Sequence, residues 1–253
     1  ARMLVAEGLA DEFEMTVAEC LHQTEEKIVG PLGTAEAATR TFADPNVIIL
    51  RRTAAHRLDV LFGLPDDAFQ QRKPDKGLIT KREVRAVSLA RLQLRPDSIV
   101  WDIGAGSGAV GLEAARLCPD GHVYAIEKNV DDVAIAGQNR KRLRITIYSL
   151  AHGKAPAGLD TWPHPDAVFI GGSGGELAEI IRLCLERLNQ NGWLVMNFVT
   201  LENQADALNA LKTCGAVWDV TQIQAARSQP ILHMHRLAAE NPVWVVCAQK
   251  RVL

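Results

Sequence analysis

Apolar and polar positions follow two rhythms along this chain, and the change falls after about the first fifty residues. Glu14-Met-Thr-Val-Ala-Glu-Cys20 alternates with the period of two of a half-buried strand, and Lys27-Ile-Val-Gly30 returns as its hairpin partner. Arg2 to Gly8 reads as the end of a helix, Thr34 to Thr41 as a helix, and Asn46-Val-Ile-Ile-Leu50 as a closing strand. A piece this short buries little core by itself, so residues 1–52 are expected to be the tail of a domain whose front lies outside the chain. Residues 53–76 mix charges with Pro65 and Asp66-Asp67 at no clear period, which suits a linker folding over the second domain.

Residues 77–253 alternate short apolar runs with helical patterns. Strands are expected near 98–103, 122–127, 144–149, 166–171, 192–199, 217–224 and 242–249, and helices near 81–93, 109–117, 130–141, 175–189 and 203–213. That order predicts an α/β, Rossmann-like domain: a mostly parallel seven-stranded sheet with helices on both faces and ligands at the carboxyl ends of its strands. The last two strands have no 10-residue helical pattern between them and are expected to pair antiparallel. Such a terminal hairpin fits a methyltransferase sheet better than a dinucleotide-binding one.

The chemistry of that edge is written most clearly in Ile99-Val-Trp-Asp-Ile-Gly-Ala-Gly-Ser-Gly108, a buried strand running into a glycine loop with a carboxylate at the join. Gly104, Gly106 and Gly108, with Ala105 and Ser107 between them, let the backbone turn sharply against a ligand at the amino end of the next helix. Twenty residues on, Val123-Tyr-Ala-Ile-Glu127 ends in an acid able to accept two ribose hydroxyls. Gly106-x-Gly108-x-x-Gly111 also satisfies the dinucleotide pattern. Asp102 favours S-adenosylmethionine instead, because a negative charge before the loop repels a pyrophosphate and tolerates a sulfonium.

Composition narrows the setting. At 253 residues the chain exceeds one average domain, and its formal charge of −2 carries no global basic field, so nucleic acid is not favoured as a partner. The longest apolar runs, such as Val243-Trp-Val-Val-Cys-Ala248, are strand length, and the first residues lack a signal-peptide pattern, so no membrane association is expected. Five cysteines, odd in number and never C-x-x-C, read as small core residues in a reducing cytoplasm. His233-x-His235 would share one strand face, but no Cys or Glu completes a metal set, and no metal is expected.

Three further strings point at a substrate. Thr80-Lys-Arg-Glu83 has the form of a capping box, and its helix start is expected to overhang the cofactor at Thr80. Lys81, Arg82 and Arg85 crowd the same amino end, where the helix dipole disfavours cations; an anionic substrate would resolve that anomaly. Asp166-Ala-Val-Phe-Ile-Gly-Gly-Ser-Gly-Gly175 ends a strand in four glycines around Ser173, more than a turn requires, so Gly172, Ser173 and Gly174 are expected to hold substrate through free N–H groups. The absence of proline and aromatics after this strand argues against methylation of amino groups on nucleic-acid bases. Glu202, in Asn197-Phe-Val-Thr-Leu-Glu-Asn203, is either a helix-start carboxylate or a pocket wall, and Arg227 is either solvent-exposed or a carboxylate clamp.

Taken together, Gly63-Leu-Pro-Asp-Asp-Ala-Phe69, Thr80-Lys-Arg-Glu-Val-Arg85, Trp101-Asp-Ile-Gly-Ala-Gly-Ser-Gly108 and Ile170-Gly-Gly-Ser-Gly-Gly-Glu-Leu177 resemble the decarboxylating precorrin methyltransferases of cobalamin biosynthesis, over about residues 63–250. The first fifty residues resemble the carboxyl-terminal end of the tetrapyrrole methylase domain that methylates carbon 5 in fused members. The resemblance implies a class I S-adenosyl-L-methionine-dependent enzyme, the later part of a bifunctional protein acting at carbons 5 and 15. It implies methylation of carbon 15 and loss of the carboxyl of the acetate on carbon 12 of an anionic tetrapyrrole, a precorrin or cobalt-precorrin, in which the macrocycle is the electron sink. No nucleophilic side chain is then required, and carbon 5 is not expected to be methylated by this chain. The family's cofactor positions map to Thr80, residues 104–108, Glu127 and the backbone at Ala155, with Lys154 where the family usually shows an acid. Family members assemble as tetramers, so a homotetramer is implied. The rival readings are a class I methyltransferase of another small molecule or protein, and a non-catalytic scaffold.

Overall fold

The computed structural model describes residues 1–53, 60–72 and 79–250, and the contacts among them form two compact units. One comprises residues 1–59 with 141–146, the other 60–140 with 147–253. The proposed linker start at 54–59, residues 73–76, and the Gly77 boundary lie outside the described residues.

The first unit is a three-stranded antiparallel sheet in the order β2-β1-β3, made of β1 (Phe13–Glu19), β2 (Lys27–Gly33) and β3 (Asn46–Arg52). Alternation decides which face is covered: Met15 and Val17 of β1 turn inward onto Ala37 of helix α2 (Thr34–Thr39), and α1 (Arg2–Ala6) precedes them. No such alternation appears in β3, where Val47, Ile48, Ile49 and Leu50 all remain exposed, on both faces of the strand.

In the second unit seven strands run in the order β6-β5-β4-β7-β8-β12-β9. They are β4 (Ile99–Ile103), β5 (His122–Glu127), β6 (Tyr148–His152), β7 (Ala167–Ile170), β8 (Trp193–Phe198), β9 (Val217–Ile223) and β12 (Val243–Gln249). β4 to β8 are parallel, and β12 inserts antiparallel between β8 and β9. The central strands are buried on both sides, as near-continuous apolar runs such as Ala167–Ile170 require. The helices α3 (Arg82–Arg91), α4 (Ala109–Leu117), α5 (Val130–Arg142), α6 (Leu177–Arg187) and α7 (Leu201–Thr213) follow the expected alternation. Because β4 has β5 on one side and β7 on the other, the chain order reverses there, and the loops after these three strands meet at one end of the sheet.

Four expectations are corrected. The strand placed at 144–149 begins only at Tyr148, because Arg144, in the turn after α5, takes the left-handed conformation (φ 57°) and the chain cannot extend until it has turned. A second hairpin, β10 (Ala226–Ile231) with β11 (Met234–Ala239), stands between the terminal antiparallel pair. His233 lies in its turn and His235 in β11, both exposed, so the two imidazoles do not share a strand face. The capping box does not form: α3 is capped by Lys81 without a side-chain bond, and Glu83 is instead held by Arg227 of β10.

Candidate functional site

At the switch point the glycine loop after β4 is held open by its own strand neighbours. The N–H groups of Gly104 and Ala105 both donate to the Ile126 carbonyl of β5, at 2.9 and 3.1 Å. Gly104 takes φ 69°, and a Cβ there would lie 2.6 Å from the backbone nitrogen of Gly172, so this turn and the loop after β7 touch backbone to backbone. Gly108, at φ 77°, starts α4.

Glu127 ends β5 with its carboxylate against this loop: Oε2 accepts the Gly106 N–H at 2.9 Å and Oε1 the Asn129 N–H at 2.9 Å. Each oxygen keeps a lone pair for a further donor. Glu127, Gly104, Gly106, Ser107 and Ala155 line a cavity of about 240 Å³, and Gly172, Ser173 and Gly174 close its other side. The cofactor and substrate loops expected from the sequence thus border one space. Asn129 and Asp132 at the start of α5, and Gln71 and Arg72 from the segment before α3, complete part of its wall. Arg72 reaches Asp132 at 2.7 Å.

Asp102 does not face the cavity. It is buried beneath the glycine loop, where Oδ2 accepts the Gly111 N–H at 3.1 Å and Oδ1 has no partner among the described residues. Burial pushes its carboxyl up to about 7, against the Gly111 bond, with the Glu127 charge adding to the rise. The neighbouring Tyr148 hydroxyl, also buried without a partner among the described residues, is raised well above its ordinary value by burial and by the charges of Asp102 and Glu127. An Asp raised from 3.8 to about 7 keeps in the folded state a proton that the unfolded chain releases, so its contribution is fully present below about pH 4 and is lost as pH rises through 7. Asp102→Asn is therefore expected to flatten that loss, with urea unfolding showing a variant-minus-wild-type difference that grows from about pH 5 to pH 8. Parallel pH profiles for the two proteins would assign the titration elsewhere.

The cations at the amino end of α3 part company. Arg85 is fully buried: it donates to Glu113 Oε1 at 3.1 Å, Asp66 Oδ1 at 3.2 Å, the Thr80 carbonyl at 2.6 Å and the Leu64 carbonyl, and its guanidinium lies over the Phe69 ring at 4.8 Å. It is not a substrate clamp, because four of its five N–H donors are taken by the protein itself and the side chain is fully buried. Arg227 is likewise corrected: it pairs with Asp66 at 2.7 Å and with Glu83, tying the β10 hairpin to α3. Arg82 is exposed and does not line the cavity, and Thr80, Ala105 and Gly108 also lie outside its wall. Glu202 is exposed in the first turn of α7 and is the helix-start carboxylate, not a pocket wall.

Two buried polar residues organise the site without having been singled out in the sequence. Glu113 accepts the Gly63 and Leu64 N–H groups at 2.8 and 2.9 Å as well as Arg85, and its signal is a lone acid in the apolar run AVGLEAARL. Asn139 of α5 exchanges two bonds with the Gln70 backbone and donates to the Ser107 carbonyl at 2.9 Å, fastening the segment at 70 to the glycine loop. It carries no distinct signal in the sequence, since it sits in the polar stretch Gln138-Asn-Arg-Lys-Arg142 that ends α5.

The precorrin methyltransferase domain matches residues 68–250. A probable cobalt-precorrin-6B C(15)-methyltransferase (decarboxylating) of Pyrobaculum calidifontis is 36% identical over 188 residues, 74% of this chain and 95% of that one. The precorrin-6Y C(5,15)-methyltransferase [decarboxylating] of a Sinorhizobium species is 33% identical over 231 residues, which is 91% of this chain but 52% of that longer protein. Among solved structures, a precorrin-6y C5,15-methyltransferase from Geobacter metallireducens superimposes with a TM-score of 0.71 at 39% identity, covering 76% of this chain and 97% of its own. With its sheet order, its paired glycine loops and a match spanning most of its length, the chain belongs to the precorrin methyltransferase family.

Proposed function

We propose that this chain transfers a methyl group from S-adenosylmethionine to carbon 15 of a precorrin, with or without cobalt, and removes the carboxyl of the acetate on carbon 12, as a step of cobalamin biosynthesis. The observation that carries this reading is the shared cavity, walled on one side by residues 104–107 with Glu127 and on the other by residues 172–174.

The residues fit the cofactor. A glycine turn whose Cβ position is filled by another backbone leaves room for close approach of a ligand, and Glu127 presents free lone pairs suited to ribose hydroxyls. The backbone at Ala155 borders the same space. When bound, the cofactor supplies an electrophilic methyl group. The chain's own contribution is orientation: Glu127 and the glycine loop fix one partner, loop 171–175 the other, and the apolar floor of β4, β5 and β7 excludes water from beneath. Expelling the acetate carboxyl as carbon dioxide leaves an electron pair that the conjugated macrocycle accepts, so the protein need hold no covalent intermediate.

Incubating the chain with the cofactor and the precorrin, then weighing the product, tests the reading; gain of one methyl and loss of one carbon dioxide are expected together. Cofactor binding without tetrapyrrole turnover would favour a methyltransferase of another small molecule or protein. Glu127→Ala is expected to weaken cofactor binding by roughly 10- to 100-fold, since a charge-assisted bond is worth about 1.5–3 kcal/mol. Unchanged affinity by calorimetry would remove Glu127 from the site.

The same proposal assigns residues 1–52 to the end of a tetrapyrrole methylase domain. Its support is the 231-residue similarity to the Sinorhizobium protein, longer than the stretch 68–250, together with the exposed apolar residues Val47 to Leu50 of β3. It also includes a homotetramer, supported by exposed Leu232, Met234 and Leu237 on the β10–β11 hairpin, and a cytoplasmic setting, supported by five unpaired cysteines. No helix among the described residues is long and apolar enough to cross a membrane.

A further inference from the structure

An anionic macrocycle needs cations, and the structure has committed Arg85 and Arg227 elsewhere. Three cations line the cavity among the described residues. Arg72 is paired with Asp132, and Lys154 with Glu176 at 2.9 Å. Lys128 is the third. It follows Glu127 at the end of β5, is exposed at the mouth, and among the described residues has no acidic partner.

Its ammonium group faces the substrate loop. A Cβ built on Gly174 would lie 3.3 Å from Lys128 Nζ, so the lysine reaches across the mouth from the β5 side to the loop after β7. That loop has donors to spare. The N–H groups of Gly171 and Gly172 donate to the Ile103 carbonyl, whereas those of Ser173, Gly174 and Gly175 have no acceptor among the described residues. Gly174 and Gly175 take φ 62° and 105°, a conformation that successive side-chain-bearing residues would resist. A long-stemmed cation beside three unused backbone donors is a receptor for one carboxylate, combining charge with directed hydrogen bonds.

We infer that Lys128 and the N–H groups of residues 173–175 together hold one carboxylate arm of the tetrapyrrole, making Lys128 a substrate-binding residue on the cofactor side of the cavity. The inference rests on the proposed function and deepens it. It also accounts for the glycine at 174, where a Cβ would crowd the lysine's ammonium group and the space in which it meets the carboxylate.

The test uses the full chain with Lys128→Ala and Lys128→Arg, measuring cofactor Kd by calorimetry and steady-state methyl transfer to the precorrin at low and high salt. Lys128→Ala is expected to raise the substrate KM about tenfold at low salt, the scale of a charge-assisted bond discounted for exposure. Its kcat and cofactor Kd should stay within about twofold, the KM gap should narrow as salt screens the wild-type lysine, and Lys128→Arg should restore most of the affinity. A wild-type KM in Lys128→Ala would overturn the assignment, and so would a parallel rise in cofactor Kd, which would give the lysine to the cofactor. Wild-type protein that binds the cofactor yet leaves the precorrin unchanged would overturn the functional reading itself, and the assignment with it.

Discussion

Arg85→Ala is expected to cost the fold about 3–5 kcal/mol, the scale seen when one partner of a buried ion pair is removed and the other is left behind. Glu113 would remain fully buried with only the Gly63 and Leu64 N–H groups to balance its charge, and the Thr80 and Leu64 carbonyls would each lose a donor. Against a typical domain stability of about 5–15 kcal/mol this is a large fraction, so urea unfolding should show an early transition. Arg85→Lys should recover little, because an ammonium cannot satisfy Glu113, Asp66 and two carbonyls in one plane. Arg85→Met combined with Glu113→Gln should recover more, since no charge is then stranded while an amide oxygen still accepts the two N–H groups. A variant as stable as wild type, with a raised substrate KM, would return Arg85 to the substrate site and overturn the corrected assignment.

Gly104→Ala is expected to abolish cofactor binding while leaving most of the domain core intact. Its left-handed conformation alone costs a side-chain-bearing residue about 1–3 kcal/mol. The new methyl would also meet the Gly172 backbone at 2.6 Å, and neither strand end can retreat without breaking the Gly104 to Ile126 or Gly171 to Ile103 hydrogen bonds. The two loops must therefore move apart, distorting both walls of the cavity at once. Gly172→Ala is the control: a Cβ there meets nothing within 4 Å, so that variant should fold and bind the cofactor as wild type does. Calorimetry on the pair decides the matter; wild-type affinity in Gly104→Ala would show that the turn is not part of the cofactor cradle.

The parts of this protein that could be read from its residues are those governed by local periodicity and by glycine. The run from Ile99 to Gly108 announces a strand, a turn and a helix start through apolar continuity and positive-φ requirements, both encoded within ten residues, and the same holds for the loop from Gly171 to Gly175. The parallel order of the sheet followed from alternation of element types, and the antiparallel end from a missing helix. The β10–β11 hairpin escaped because its strands are exposed on nearly every position and so carry no alternation.

Which cation meets which carboxylate was decided by packing alone. Charge, helix position and the dipole argument treat Arg82 and Arg85 alike, three residues apart on one helix, yet the rotation of α3 sends one to solvent and the other onto Glu113 and Asp66, which stand 28 residues later and 19 residues earlier in the chain. Glu83 looked like a cap because its position allowed one; Arg227, 144 residues away, offered it a full charge instead of a single N–H. Lys128 looked like any surface lysine until the loop after β7 was seen to lie against it. Local backbone chemistry is short-ranged and survives in the order of residues, whereas the pairing of long, flexible charged side chains depends on distances in space that the chain sets only when it is folded.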